Sequence, residues 1–236
     1  MSSFKEHAIT CPNCGAQGKF TAWDSVNVDI MPEMKEKVMS GELFRWICPE
    51  CGESFTVPYP MLYHDMTKRF MVYHLLERVE MKPLDDSAEG LAKDVMKRLA
   101  SNGFINNGYV LRSSYSIDDF REKIAQLDSG LDDCVIEFLK YYLLNHNESK
   151  KVPDGAVLRF ARAAEDEETG GLYLLFYIVH PSLPNQPFLQ VSSNAYHEIE
   201  KAGKLDAIFG NQNSDYPEIS QDYMAKVLGN KQIWPQ

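Results

Sequence analysis

Apolar residues in the first eighty positions fall in short runs of strand-forming types, whereas between 90 and 145 they recur every three or four positions, so the two stretches predict different elements. Residues 8–10, 19–23 and 26–28 are rich in β-branched and aromatic side chains and predict short strands. Pro32 suits the first turn of a short helix with Glu33 beside it and Gly41 at its end. Residues 43–47 and 54–57 predict two further strands, the second broken by Pro58 and Pro60. The run at 69–77 reads as a strand, with a helix as the alternative.

Beyond a polar link at 82–90, Leu91, Val95 and Leu99 define a helical face, and Asn106-Asn107-Gly108 a turn before a strand at 109–113. Ser116, followed three positions later by Asp119, has the form of an N-terminal cap. Ile117, Phe120, Ile124 and Leu127 then form one apolar stripe, and Leu131, Val135, Phe138, Leu139, Tyr142 and Leu143 a second, with Ser129-Gly130 between them: a helical hairpin built for burial. The polar stretch 145–155, with Pro153 and Gly155, predicts a boundary. Past it, strands at 157–163 and 172–179 flank an acidic loop, and helices are expected at 193–202 and 217–228. The expected fold is α+β: a domain over 1–146, then a small α+β domain over 156–236.

Composition narrows the function. Charged residues make up 25% of the 236 positions and the net charge is −10, with 8 basic against 11 acidic residues in 1–80 and 16 against 23 in the rest. Nonspecific nucleic-acid binding depends on lysine and arginine displacing counterions, so neither part is a basic platform and nucleic acid is not the expected partner. No apolar run approaches the roughly 20 residues that span a bilayer. The first ten residues lack the apolar centre of a secretory signal. The expectation is a cytoplasmic protein whose thiols stay reduced.

Against that background four cysteines stand out. Cys11-Pro12-Asn13-Cys14-Gly15 has an echo at Cys48-Pro49-Glu50-Cys51-Gly52. Two thiolates separated by two residues reach one ion from one side, and two such pairs complete a tetrahedron. The prolines stiffen each turn, and the glycines permit the bend past the second sulfur. Backbone N–H groups in such turns can donate to sulfur. The doubled word therefore predicts one structural Zn2+ per chain on Cys11, Cys14, Cys48 and Cys51, in a zinc-ribbon-like N-terminal module. Iron is the alternative metal, and a redox-active pair the third reading.

The residues around these knuckles resemble the CpXC family, whose signature is a pair of Cys-Pro-x-Cys motifs. The likeness runs over about residues 8–145, through the stretches 25–52, 59–76 and 116–140 as well as the cysteines. It implies a metal site on the same four cysteines and no catalytic residue; the family's function is uncharacterised.

Other candidates read as structural. His64-Asp65 lacks a nucleophile and reads as part of a turn, with His64 as a spare metal ligand the sharper option. His197-Glu198 fails the HExxH pattern because position 201 is Lys. Asp166, Glu167 and Glu168 read as a solvated loop, and Cys134 as a small buried hydrophobe. Phe20, Trp23, Phe44, Trp46, Phe55, Tyr59 and Tyr63 crowd the knuckles without interleaved lysines, which favours packing over base stacking. Taken together, these features point to a non-enzymatic interaction module with a protein partner. A nucleic-acid-associated ribbon is the first alternative, and an enzyme with a site between the two regions the second. Oligomeric state is not legible.

Overall fold

The computed structural model describes residues 2–76, 108–146, 152–165, 171–203, 205–209 and 217–229. Two compact units divide the chain, Met1–Arg121 and Glu122–Gln236.

Among the described residues, the first unit is built on a five-stranded sheet. Its strands are β1 (Ser3–Thr10), β2 (Gln17–Asn27), β5 (Met61–Asp65), β6 (Phe70–His74) and β7 (Val110–Ser114), in that spatial order. β1 pairs antiparallel with nearly all of β2, but only Ser25–Asn27 of β2 reach β5. The rest of β1 and β2 is thus a two-stranded ribbon running beyond the sheet. A second hairpin, β3 (Arg45–Ile47) with β4 (Ser54–Thr56), stands apart from it in pairing. Helix α1 (Glu33–Ser40) forms where expected: Glu33 and Glu36 sit in its first turn, Gly41 closes it at φ 77°, and Met34 and Val38 bury one face.

The two hairpins meet at one close contact. Trp46 of β3 donates its indole N–H to the Lys19 carbonyl at 3.1 Å. A Cβ on Gly18 would lie 2.6 Å from the Trp46 ring, so the approach requires glycine there. Phe20, Phe44, Tyr59 and Tyr63 are buried nearby, in accord with the packing expectation.

β5 departs from the expected turn at His64-Asp65. Met61, Tyr63 and Asp65 alternate inward on an inner strand, and the turn comes after it. There Asp65 accepts from the Lys68 N–H at 2.7 Å, and Asp29 accepts from the Thr67 hydroxyl and from the Met66 and Thr67 amides. The Thr67 hydroxyl, with those amides, holds the Asp29 carboxyl below its usual range. Within the run expected at 69–77, strand β6 covers Phe70–His74. The helix expected around Leu91–Leu99 lies outside the described residues, as does the acidic loop Asp166–Glu168.

Among the described residues, the second unit packs helices on one face of a three-stranded antiparallel sheet, order β10-β9-β8. The strands are β8 (Val157–Glu165), β9 (Leu172–Val179) and β10 (Phe188–Ser192). The helices are α3 (Asp133–Asn145), α4 (Ser193–Ala202), α5 (Asp206–Phe209) and α6 (Gln221–Leu228). Asp132, Ser192 and Ser220 cap α3, α4 and α6 by accepting backbone N–H bonds. Ile136 and Leu139 of α3, Leu158 of β8, Phe176 of β9 and Met224 of α6 share one core. Each such side chain contributes roughly 1.5–3 kcal/mol by leaving water.

The hairpin helices α2 (Ile117–Asp128) and α3 are both present, but the units divide inside α2 rather than at 145–155. α3 belongs with the C-terminal strands because its apolar stripe completes their core. Tyr142 is exposed, whereas Cys134 is half-buried rather than buried and packs against that core.

Facing side chains of α2 and α3 form a buried ionic cluster. Glu122 accepts from Lys140 at 2.6 Å, Arg159 at 2.9 Å and the Phe160 amide at 2.8 Å. Lys123 pairs with Asp133 at 2.9 Å, and Gln126 donates to Glu137 at 2.7 Å. Burial opposes a charge on Glu122, but Lys140 and Arg159 override it and hold this carboxyl below its usual range. Burial pushes Glu137 up despite the nearby lysines, and the Glu122 charge adds to that.

Candidate metal centre

Each cysteine pair sits in the turn of a hairpin, Cys11 and Cys14 between β1 and β2, Cys48 and Cys51 between β3 and β4. The two turns are built alike. The Cys11 N–H donates to Ala16 O at 2.8 Å and the Gly15 N–H to Cys11 O at 2.9 Å. In the second turn Cys48 donates to Glu53 O at 2.9 Å and Gly52 to Cys48 O at 3.0 Å. Gly15 and Gly52 take φ 75° and 73°, a left-handed conformation that favours glycine.

The turns bring all four sulfurs within 4.8 Å of one another. Across the turns, Cys11 and Cys51 Sγ atoms are 3.7 Å apart, and so are those of Cys14 and Cys48. A disulfide needs ~2 Å, and none of the four is in one. Four sulfurs at ~2.3 Å from a central ion define a tetrahedron of edge about 3.8 Å. The observed spacing therefore fits a tetrahedral thiolate site. Cys11 and Cys48 are buried at 2% and 1% exposure, whereas Cys14 and Cys51 face outward.

Electrostatics differ between the outward sulfurs. The Glu53 backbone hydrogen bond and then the Asn13 side-chain amide, 3.7 Å from the sulfur, bring Cys51 down to about 7. The Ala16 backbone bond favours the Cys14 thiolate in the same way. Desolvation and the other three sulfurs nevertheless push Cys14 up to about 12, because four thiolates this close cannot all ionise without a cation.

His64 is not a fifth donor. It sits on β5 with Nδ1 3.4 Å from the Asn27 amide and Nε2 3.2 Å from the Tyr109 hydroxyl. Asp132, Asp133 and Cys134 also lie close together, but Asp132 caps α3 and Asp133 pairs with Lys123. His197 stays beside Glu200 on the exposed face of α4. Sequence reasoning had no signal for Asn13, which holds the variable position of its motif as Glu50 does in the other; only the fold carries it across to Cys51. Among the described residues, no helix is long and apolar enough to cross a membrane.

A family model described as CpXC protein matches residues 9–140. No curated protein and no solved structure matches the chain.

Proposed function

This chain belongs to the CpXC family, and we propose that it binds one structural Zn2+ through Cys11, Cys14, Cys48 and Cys51 as a non-enzymatic interaction module of the cytosol. The gathering of four thiols at tetrahedral spacing, from two hairpin turns of the same build, carries the reading. Four thiolates complete the coordination of zinc and leave no position for water or substrate, so the ion's chemistry is structural. The arrangement of two knuckle hairpins joined at their tips is zinc-ribbon-like. The chain's own residues do the rest. The knuckle amides and Asn13 disperse the −2 charge of a four-thiolate zinc site, and Trp46 on Gly18 locks the hairpins beside it.

The partner proposed is a protein, because the net charge of −10 opposes a nucleic-acid backbone. The test replaces Cys48 with Ser. Loss of bound metal together with unfolding of the first unit is expected, and a folded variant that keeps its metal overturns the ligand set. A gel-shift titration of the intact protein is expected to show no nucleic-acid complex at physiological salt. A tight, salt-dependent complex would replace the protein-partner reading with a nucleic-acid-associated ribbon.

A further inference from the structure

The two edges of the C-terminal sheet are finished in opposite ways. On β8 the outward backbone amides are occupied: Leu158 N–H donates to Gln221 Oε1 at 3.1 Å and Phe160 N–H to Glu122 at 2.8 Å. Side chains from α6 and α2 thereby block strand addition on that edge.

β10 carries no such cap among the described residues. Ile178 N–H donates to Pro187 O at 2.9 Å, and the β9–β10 register is unbroken from Phe188 to Ser192. The alternation of an antiparallel ladder then turns the backbone groups of Leu189 and Val191 toward β9 and those of Phe188, Gln190 and Ser192 outward. No strand among the described residues pairs with that outer side. Charge does not guard it either. Residues 169–197 contain no Asp, Glu, Lys or Arg, in a chain that is 25% charged. The other long edge, β1, is blunted in the usual way, by Lys5, Glu6 and a register shift at Ser3/Phe4. The solvent face beside β10 carries an exposed aromatic pair: Phe188 is 56% exposed, and its ring lies tilted with its centroid 4.4 Å from that of Tyr177, itself 38% exposed.

We propose that β10 is a self-pairing edge, joining two copies of this chain antiparallel about a two-fold axis at Gln190 into one continuous sheet. The sequence of β10 is self-complementary in that register. Gln190 faces its own copy, Phe188 faces Ser192, and on the core side Leu189 faces Val191. No like charges meet in a chain of net charge −10, which selects a second copy over an acidic or basic partner strand. Leu189 and Val191 already pack against the core, so pairing extends an existing apolar layer instead of starting one. The interface is small, at the transient end of the size range, which implies a reversible dimer with Kd on the order of 10 µM.

Sedimentation velocity of the metal-loaded full chain across that concentration range tests it, with Gln190→Pro and Gln190→Lys alongside. The Gln190 N–H is outside the β9 ladder, so proline is tolerated on this edge while removing the central inter-chain bonds. Lysine places like charges on the two-fold axis and leaves the fold untouched. The expected result is a reversible wild-type dimer and at least about tenfold weaker association in both variants, with unchanged circular dichroism. Should Gln190→Pro lose its fold, Gln190→Lys decides by the same criterion. A wild-type chain that stays monomeric throughout, or a dimer that Gln190→Lys leaves intact, overturns the proposal.

Discussion

Replacing Glu122 with Gln removes one charge from the ionic cluster while keeping the size of the side chain. Glu122 binds Lys140 at 2.6 Å, Arg159 at 2.9 Å and the Phe160 amide at 2.8 Å, and its side chain is 5% exposed. The Gln carbonyl can still accept, but its amide group meets two cations, and Lys140 is left with Glu137 as its counter-charge. Breaking a buried pair on one side costs about 3–5 kcal/mol, a large part of the ~5–15 kcal/mol that holds a domain folded. The assay is urea unfolding of the full chain by circular dichroism, read as a shift in midpoint of the second unit's transition at constant slope. The pH dependence gives an independent check. Glu122 has a folded-state pKa below the ordinary 4.5, so its stabilisation is fully present above that value and is lost as pH falls through the lower folded value. The gap between wild type and variant therefore narrows in acid. Glu137 is pushed the other way, so Glu137→Gln is expected to cost less than Glu122→Gln. A loss under about 1 kcal/mol for Glu122→Gln, or a gap that widens on acidification, refutes the reasoning.

Further consequences follow from the same contacts. Gly18→Val puts a branched side chain where even a Cβ would be 2.6 Å from Trp46, and should destabilise the first unit by about 1–3 kcal/mol, read by thermal unfolding with tryptophan emission; an unchanged midpoint would show that the hairpins can part without cost. A fragment spanning 122–236 should fold cooperatively, whereas 156–236 alone should not, because Ile136 and Leu139 of α3 are missing from its core; well-dispersed amide NMR spectra from both would contradict that division.

The gathering of the two cysteine turns was legible because cysteine spacing, proline and glycine act within five residues. So was α1, whose cap and acidic first turn are local. Strand β5 was not, because its run is five residues long, follows two prolines and ends in His64-Asp65, which resembles turn chemistry. β10 was hidden for a similar reason, behind the prolines at 181, 184 and 187. For a different reason, the two compact units divide elsewhere than the polar stretch suggests. An apolar stripe on α3 announces that something covers it but not what, and the polar stretch after it looks like a linker whether or not a partner strand follows. Glu122, Lys123 and Lys140 occupy positions that a helical pattern assigns to solvent. Their burial depends on oppositely charged groups arriving from other elements, a pairing that helical periodicity does not register.

Whether the thiol cluster holds a metal is tested most directly by X-ray absorption at the zinc edge on the purified, reduced protein, together with metal analysis. The expected result is one zinc per chain surrounded by four sulfurs at ~2.3 Å. A folded protein without metal, or a metal with fewer than four sulfur neighbours, would contradict it.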